Sequence, residues 1–191
     1  MLDGFCIALY LVFLSNIPLA AYQKMRTIKL QAYNERWSSE FLNESIKIRS
    51  SITNLYMTFH HIGSTAIKGM MSKPTIDILI EVSSLAEVDS FQDKFEELGY
   101  IPKGEFGITG RRFFYKGEEV RTHHLHIFES GNPEIQRYIN FVDFLNNHPI
   151  KAREYESLKI ELAIKYKSSP NEYSKEKSAF VRQVEIEARL A

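Results

Sequence analysis

The sequence predicts an α+β fold, in which a small mixed β-sheet carries flanking helices and ends in a C-terminal helical region. Three patterns predict it: a helix-periodic stretch early in the chain, β-branched alternating runs between residues 58 and 130, and a helical pattern from Pro133 onward. With 191 residues, 44% of them hydrophobic, the chain can bury the core of one domain.

The elements follow in order. After a short extended piece, Ile28 to Tyr33, the run from Glu35 to Met57 places Trp37, Phe41, Ile48, Ile52 and Leu55 mostly three or four residues apart, the spacing of an amphipathic helix. Thr58 to Ile62 is a brief strand, a glycine turn follows, and Thr75 to Val82 reads as a second strand. Ser84 with Glu87 three residues on predicts an N-cap for a helix from Leu85 to Leu98, closed by Gly99. Residues 111 to 116 and 120 to 130, joined by a Gly-Glu-Glu turn, read as a hairpin. Helices are expected over Pro133 to Asn147, Ile150 to Lys167 and Asn171 to Leu190, separated by proline-bearing breaks.

Residues 1–24 form an apolar extension and residues 25–191 the domain proper. No charge occurs from Gly4 to Tyr22, nearly the ~20 residues that span a bilayer. The extension reads as a membrane anchor, as a signal, or as upstream sequence ahead of a start at Met25. A membrane partner is expected only if the anchor reading holds. Lys plus Arg and Asp plus Glu each number 24, so no bulk positive field exists for general nucleic-acid binding. Cys6 is the one cysteine, which rules out an intramolecular disulfide or a cysteine-built zinc site and fits a cytoplasmic setting.

The residues able to do chemistry cluster in few places. Gly63-Ser64-Thr65 directly follows a short strand, where backbone N–H groups and two hydroxyls can meet a phosphate. Asp77 lies in a strand otherwise built from Ile, Leu and Val. An ionised carboxylate is costly to bury there unless paired or bound to a cation, so it is expected to face a site. With Mg²⁺ held by carboxylate and phosphate oxygens, such an acid positions a nucleotide. Strand alternation puts Asp77, Leu79 and Glu81 on one face, with Glu81 ~13 Å from Asp77 and out of reach of the same ion.

The same alternation groups His124 and His126 opposite Leu125 and Ile127; two histidines at this spacing can share a metal or phosphate, or act as hydrogen-bonded sheet residues. His61 could join them. Of Arg111 and Arg112, one must face each side of the sheet, and either suits a phosphate. Lys73 and Lys177 complete the basic candidates, the latter on a stripe with Tyr173, Phe180, Val181 and Val184.

Taken in order, residues 33–37 (YNERW), 61–82 (HIGSTAIKGMMSKPTIDILIEV), 95–100 (FEELGY), 106–114 (FGITGRRFF), 121–131 (RTHHLHIFESG) and 173–181 (YSKEKSAFV) resemble the GrpB family, from about Met25 to the C-terminus. That family is similar by fold to the nucleotidyltransferases. The resemblance implies Gly63-Ser64 as the glycine-serine motif and Asp77 as the first acid of the second strand. Working nucleotidyltransferases carry two acids as Asp-x-Asp on that strand and a third nearby, which lets two metals clamp the phosphate. Here the strand reads Asp77-Ile78-Leu79, and the third position falls among His124 and His126. The chain also lacks the GxxxxGK[ST] loop of a kinase.

Three functions are therefore expected in competition. The first is a metal-assisted nucleotidyl or phosphoryl transferase acting on a nucleotide or phosphorylated small molecule. In it Gly63, Ser64, Thr65, Lys73, Arg111, Arg112, His124, His126 and Lys177 bind substrate, Asp77 is catalytic, and Asp77, His124 and His126 take a metal. The second is a non-catalytic nucleotide-binding or protein-interaction module. The third is a histidine-based hydrolase.

Overall fold

The computed structural model describes residues 27–118 and 120–190. The apolar extension, and with it the anchor, signal and Met25-start readings, lies outside the described residues.

Helix α1 spans Arg36–Ser51 and buries Trp37 and Ile48. Asn34 opens it by accepting from the Arg36 N–H at 3.0 Å. It ends sooner than its periodicity predicts, because Thr53 and Asn54 turn the chain and Met57 is already paired with Val82 in the sheet. Strand β1 is Met57–Ile62, β2 is Ile76–Val82, β3 is Tyr100–Pro102, β4 is Arg111–Lys116 and β5 is His123–Glu129. Their order across the sheet is β1-β2-β5-β4-β3, with β2 and β5 parallel and the other neighbours antiparallel. This is the mixed sheet expected.

The helix expected over Leu85–Leu98 forms as two, α2 (Leu85–Ser90) and α3 (Gln92–Glu97). They break at Phe91, whose N–H makes a short-range bond to Val88 at 3.0 Å. The predicted cap is also replaced. Ser84 makes no side-chain cap bond, and the Leu85 N–H instead donates to the Glu129 carboxylate of β5 at 3.3 Å. Gly99, at φ +86°, closes α3 as predicted and turns the chain into β3. The hairpin forms, with β5 beginning at His123 rather than Val120.

Helices α4 (Pro133–Asn147), α5 (Pro149–Lys165) and α6 (Pro170–Leu190) each carry a proline in the first turn, where its missing N–H costs nothing. Asn132 caps α4 by accepting from the Glu134 N–H at 2.9 Å.

Alternation along the strands sends side chains to two cores. Ile76, Ile78, Ile80, Leu125 and Ile127 pack against α1, α2 and α3 through Trp37, Ile48, Val88 and Phe95. Leu79 and Phe128 point the other way, against Ile135, Phe141 and Val142 of α4, Tyr155 of α5 and Val184 of α6. The sheet is thus covered on both faces, and polar groups on the second face lie under or beside the C-terminal helices. Among the described residues no helix is long and apolar enough to cross a membrane.

Candidate functional site

Asp77 is the second residue of β2 and faces the α4–α6 side of the sheet. Across from it β1 ends at Ile62, and the chain then turns at Gly63. Gly63 adopts φ +73° and ψ −173°, a conformation close to exclusive to glycine. A Cβ there would lie 2.4 Å from Asp77 Oδ2 and 3.0 Å from Asp77 Cγ. The glycine therefore lets the chain turn and lets the carboxylate rest against bare backbone, a closer reason than phosphate binding alone.

Beside Asp77 in the parallel register is His124, and beside Leu79 is His126. His124 Nδ1 lies 2.8 Å from Asp77 Oδ1, and His126 Nε2 lies 3.8 Å from the same oxygen, an electrostatic neighbour beyond hydrogen-bond length. Burial alone would raise the Asp77 pKa, but the contacts and charge of His124 and His126 reverse this and hold it well below the usual carboxylate range. Burial lowers His126, only partly opposed by Asp77. Walls are aromatic: the Phe113 ring is 5.4 Å from His124 and 5.2 Å from His126, and Tyr138 of α4 is 5.2 Å from His126.

Arg111 takes the site side of the sheet. The residue is 5% exposed, and its guanidinium donates to the Glu105 carbonyl at 3.1 Å and the Phe106 carbonyl at 2.6 Å and contacts His126 Nδ1 at 3.3 Å. These bonds anchor the 104–110 loop. Arg112 faces the opposite side and makes a two-pronged pair with Asp89 of α2 at 2.6 and 2.7 Å, which removes it from the site.

Thr65 is likewise committed. It is 2% exposed, and its hydroxyl bonds His61 Nε2 at 3.1 Å and the Thr75 carbonyl at 3.4 Å, so it braces the turn and does not present itself to a ligand. Ser64, partly exposed, has no hydroxyl partner among the described residues. His61 stacks on Phe41 of α1 at 4.9 Å, and burial pushes its pKa down to about 4 despite Asp77 nearby.

The basic groups converge from the helices. Lys177 of α6 approaches the Tyr155 and Tyr173 rings at 6.0 and 5.7 Å; Tyr155, ahead of burial and with Asp77 contributing, raises its pKa. Lys73, on the loop before β2, lies 5.1 Å over Tyr173. Between them is a residue the sequence reading missed. Lys159 of α5 is 1% exposed and donates to the Met71 carbonyl and to Ser72 Oγ. Burial, with Lys177 and Lys73 nearby, lowers it to about 7. A signal existed: Tyr155, Lys159 and Leu162 share a helical stripe, so the lysine occupies a core position.

Asp77, His124 and His126 offer donor atoms within 4.8 Å of one another, the geometry of a shared ion. The donor chemistry fits Mg²⁺ poorly, since that ion demands mainly oxygen ligands and two of these three are imidazoles. Asp77 Oδ1 is also engaged by His124, and Oδ2 is pressed on Gly63. The arrangement can hold a proton network and admit an anion at its basic rim. Two hollows lie elsewhere, one of about 510 Å³ on the outer face of α5 and one of about 190 Å³ beside Lys68 and Asn146.

The family model described as GrpB protein matches residues 27–187. The UPF0157 protein YqkA of Bacillus subtilis is 42% identical over 164 residues, 86% of this chain and 48% of that protein, so the chain spans about half of that relative's length. The glutamate-rich protein GrpB of Alkalihalophilus pseudofirmus is 36% identical over 81% of this chain and 92% of that one. The crystal structure of conserved protein GrpB from Enterococcus faecalis superposes with a TM-score of 0.79 at 36% identity, covering 84% of this chain and 96% of that chain. The poly(U) polymerase Cid1 bound to MgATP superposes at 0.49 with 10% identity, a likeness too slight to carry chemistry across.

Proposed function

The chain belongs to the GrpB family, and from that premise we propose that it binds a nucleotide or phosphorylated small molecule beside Asp77 and transfers a nucleotidyl or phosphoryl group from it. One observation carries this reading: a carboxylate held ionised against a glycine where a Cβ would clash with it, flanked by His124 and His126, with the Lys177 charge in electrostatic reach. A structural aspartate needs no such arrangement, and perturbed clusters of this kind mark functional sites.

In this reading Ser64 and the N–H groups of the Gly63 turn receive phosphate oxygens, while Lys177 and Lys73 neutralise them from the helical side. Arg111 acts through His126, and Arg112 and Thr65 have no part. A divalent cation carried in by the phosphate oxygens would supply charge neutralisation there; two imidazoles and one carboxylate make a poor protein donor set for Mg²⁺ itself.

The engagement of both Asp77 oxygens favours a second reading, a nucleotide-binding module without turnover. Calorimetric titration of ATP, GTP, CTP and UTP, with and without Mg²⁺, onto the wild type and Asp77→Ala separates the two. Turnover lost in Asp77→Ala supports transfer; metal-independent binding that survives the substitution supports the module. Binding of none of the four nucleotides by the wild type refutes both for nucleotides.

A further inference from the structure

The proton positions around Asp77 can be deduced from which atoms are able to donate. A guanidinium has N–H groups and no acceptor, so His126 Nδ1, 3.3 Å from Arg111, accepts and carries no proton. Burial favours neutral His126, so its one proton is on Nε2, the atom turned toward Asp77 at 3.8 Å. Asp77 is ionised and can only accept, so His124 Nδ1 donates to it at 2.8 Å. Arg111 thus donates to His126 and His124 donates to Asp77, while the His126 Nε2–H faces the same Asp77 oxygen from 3.8 Å, beyond hydrogen-bond length. With Nδ1 donating, Nε2 is the ring nitrogen of His124 able to present a lone pair. No described residue bonds that atom, and the side chain is 27% exposed.

An ion shared by the three donors would displace the protons from His124 Nδ1 and His126 Nε2. Neutral His126 would then carry its proton on Nδ1, facing the Arg111 N–H at 3.3 Å, donor against donor. A metal-bound histidine ordinarily turns that second nitrogen to an acceptor. The cluster is therefore built as a proton network, and Arg111 is what makes it one.

We propose that His124 is the general base of this site, oriented by Asp77 and acting through Nε2 on the hydroxyl that attacks the phosphate. This rests on the transferase reading above. The acceptor is an alcohol or water, and the donor is a phosphoanhydride. The acceptor O–H proton passes to Nε2 and the acceptor oxygen forms the new P–O bond. The anhydride P–O bond breaks, and its electron pair leaves on the departing phosphate. Asp77 stabilises the imidazolium that results, the role a carboxylate plays behind a catalytic histidine. Arg111 and His126 are positioning residues, Arg111 orienting His126, which lies 3.8 Å from the carboxylate oxygen that His124 bonds.

Long-range ¹H–¹⁵N correlation on protein labelled at histidine nitrogens, at pH 8, reads the tautomers directly, with His124→Gln and His126→Gln providing assignment. The expected result is a proton on Nδ1 of His124 and on Nε2 of His126, with Arg111→Gln altering the His126 pattern. Diethyl pyrocarbonate, followed by peptide mass spectrometry, is expected to modify His124, and saturating ATP without added divalent metal to abolish that modification. A proton on Nε2 of His124, or stoichiometric zinc binding by the wild type that is lost in His124→Gln, overturns the proposal. ATP that binds yet leaves His124 reactive overturns it while the nucleotide reading stands. Failure of ATP, GTP, CTP and UTP alike to bind overturns both.

Discussion

Replacing Gly63 by alanine tests the site's architecture without touching a polar group. The residue occupies φ +73° and ψ −173°, where a side chain costs on the order of 1–3 kcal/mol of backbone strain. Its Cβ would also lie 2.4 Å from Asp77 Oδ2 and 3.0 Å from Asp77 Cβ and Cγ. The carboxylate cannot swing away cheaply, because His124 holds it at 2.8 Å, so overpacking adds about 1–3 kcal/mol. Gly63→Ala is therefore expected to lose about 2–5 kcal/mol in urea unfolding, and to melt roughly 10 °C lower. Asp77→Ala removes Oδ2 and Cγ, leaving the clash with Cβ alone. In that background Gly63→Ala should cost about 1–2 kcal/mol less, leaving mainly the backbone term. A Gly63→Ala cost below about 0.5 kcal/mol, or the same cost in both backgrounds, would refute the claim that glycine is there to admit the carboxylate.

Two further outcomes follow from buried charges on either side of the sheet. Lys159 has its folded pKa lowered to about 7 from 10.5, so between those values the unfolded chain binds more protons and stability rises with pH. From pH 7 to pH 9 this contributes about 2 kcal/mol, a gain that Lys159→Met should lack in urea titrations at the two pH values; above about pH 10 the buried Tyr173, pushed up to about 12, works in the opposite direction. Glu44 is 3% exposed and bonds Lys116 Nζ at 2.7 Å and the Tyr100 hydroxyl at 3.1 Å. Burial alone would raise its pKa, but Lys116 brings it below the ordinary value, so its contribution is present above that value and is lost as pH falls through the folded one. Lys116→Met should leave the carboxylate with the Tyr100 hydroxyl and the exposed Lys47 at 3.4 Å, cost about 2–3 kcal/mol at pH 7, and show a smaller loss at pH 4, where protonation relieves it.

Much of the fold was legible because its signals are local. Alternation placed Asp77, Leu79, His124, His126 and Phe128 on faces opposite Ile76, Ile78, Ile80, Leu125 and Ile127, and the Pro and Asn residues at 132–133, 149 and 170–171 marked the helix starts closely. Edge strand β3 was not legible: three residues, one of them Pro102, give no periodicity, and only pairing with Lys116 through Phe114 makes them a strand. The Leu85 cap failed for a related reason, since the acceptor that replaced Ser84 comes from Glu129, 44 residues away. At the site, spacing could say that Arg111 and Arg112 face opposite sides but not which had a partner. Asp89 settles that for Arg112, as His61 and the Thr75 carbonyl do for Thr65. Lys159 was overlooked because a charged residue on a helical stripe looks like an ordinary snorkelling side chain until its carbonyl and hydroxyl partners on the 71–72 loop are seen.

The missing second acid has a physical counterpart in the packing. Leu79 stands where an Asp-x-Asp pattern would place it, is fully buried, and belongs to the core with Phe128, Ile135 and Val142. A carboxylate there would be taken out of water under α4, with His126, its register partner, already committed to Arg111 and turned toward Asp77. The helices that close the second face of the sheet thus occupy the space in which two acids could share metal ions. What that packing leaves open is a narrower site: one carboxylate, two imidazoles whose protons Arg111 and Asp77 dictate, and lysines arriving from α6 and the 73 loop. In the proposed transferase reading, a proton moves to His124 and Lys177 neutralises an anion at the end of the sheet where Gly63 brings backbone against Asp77.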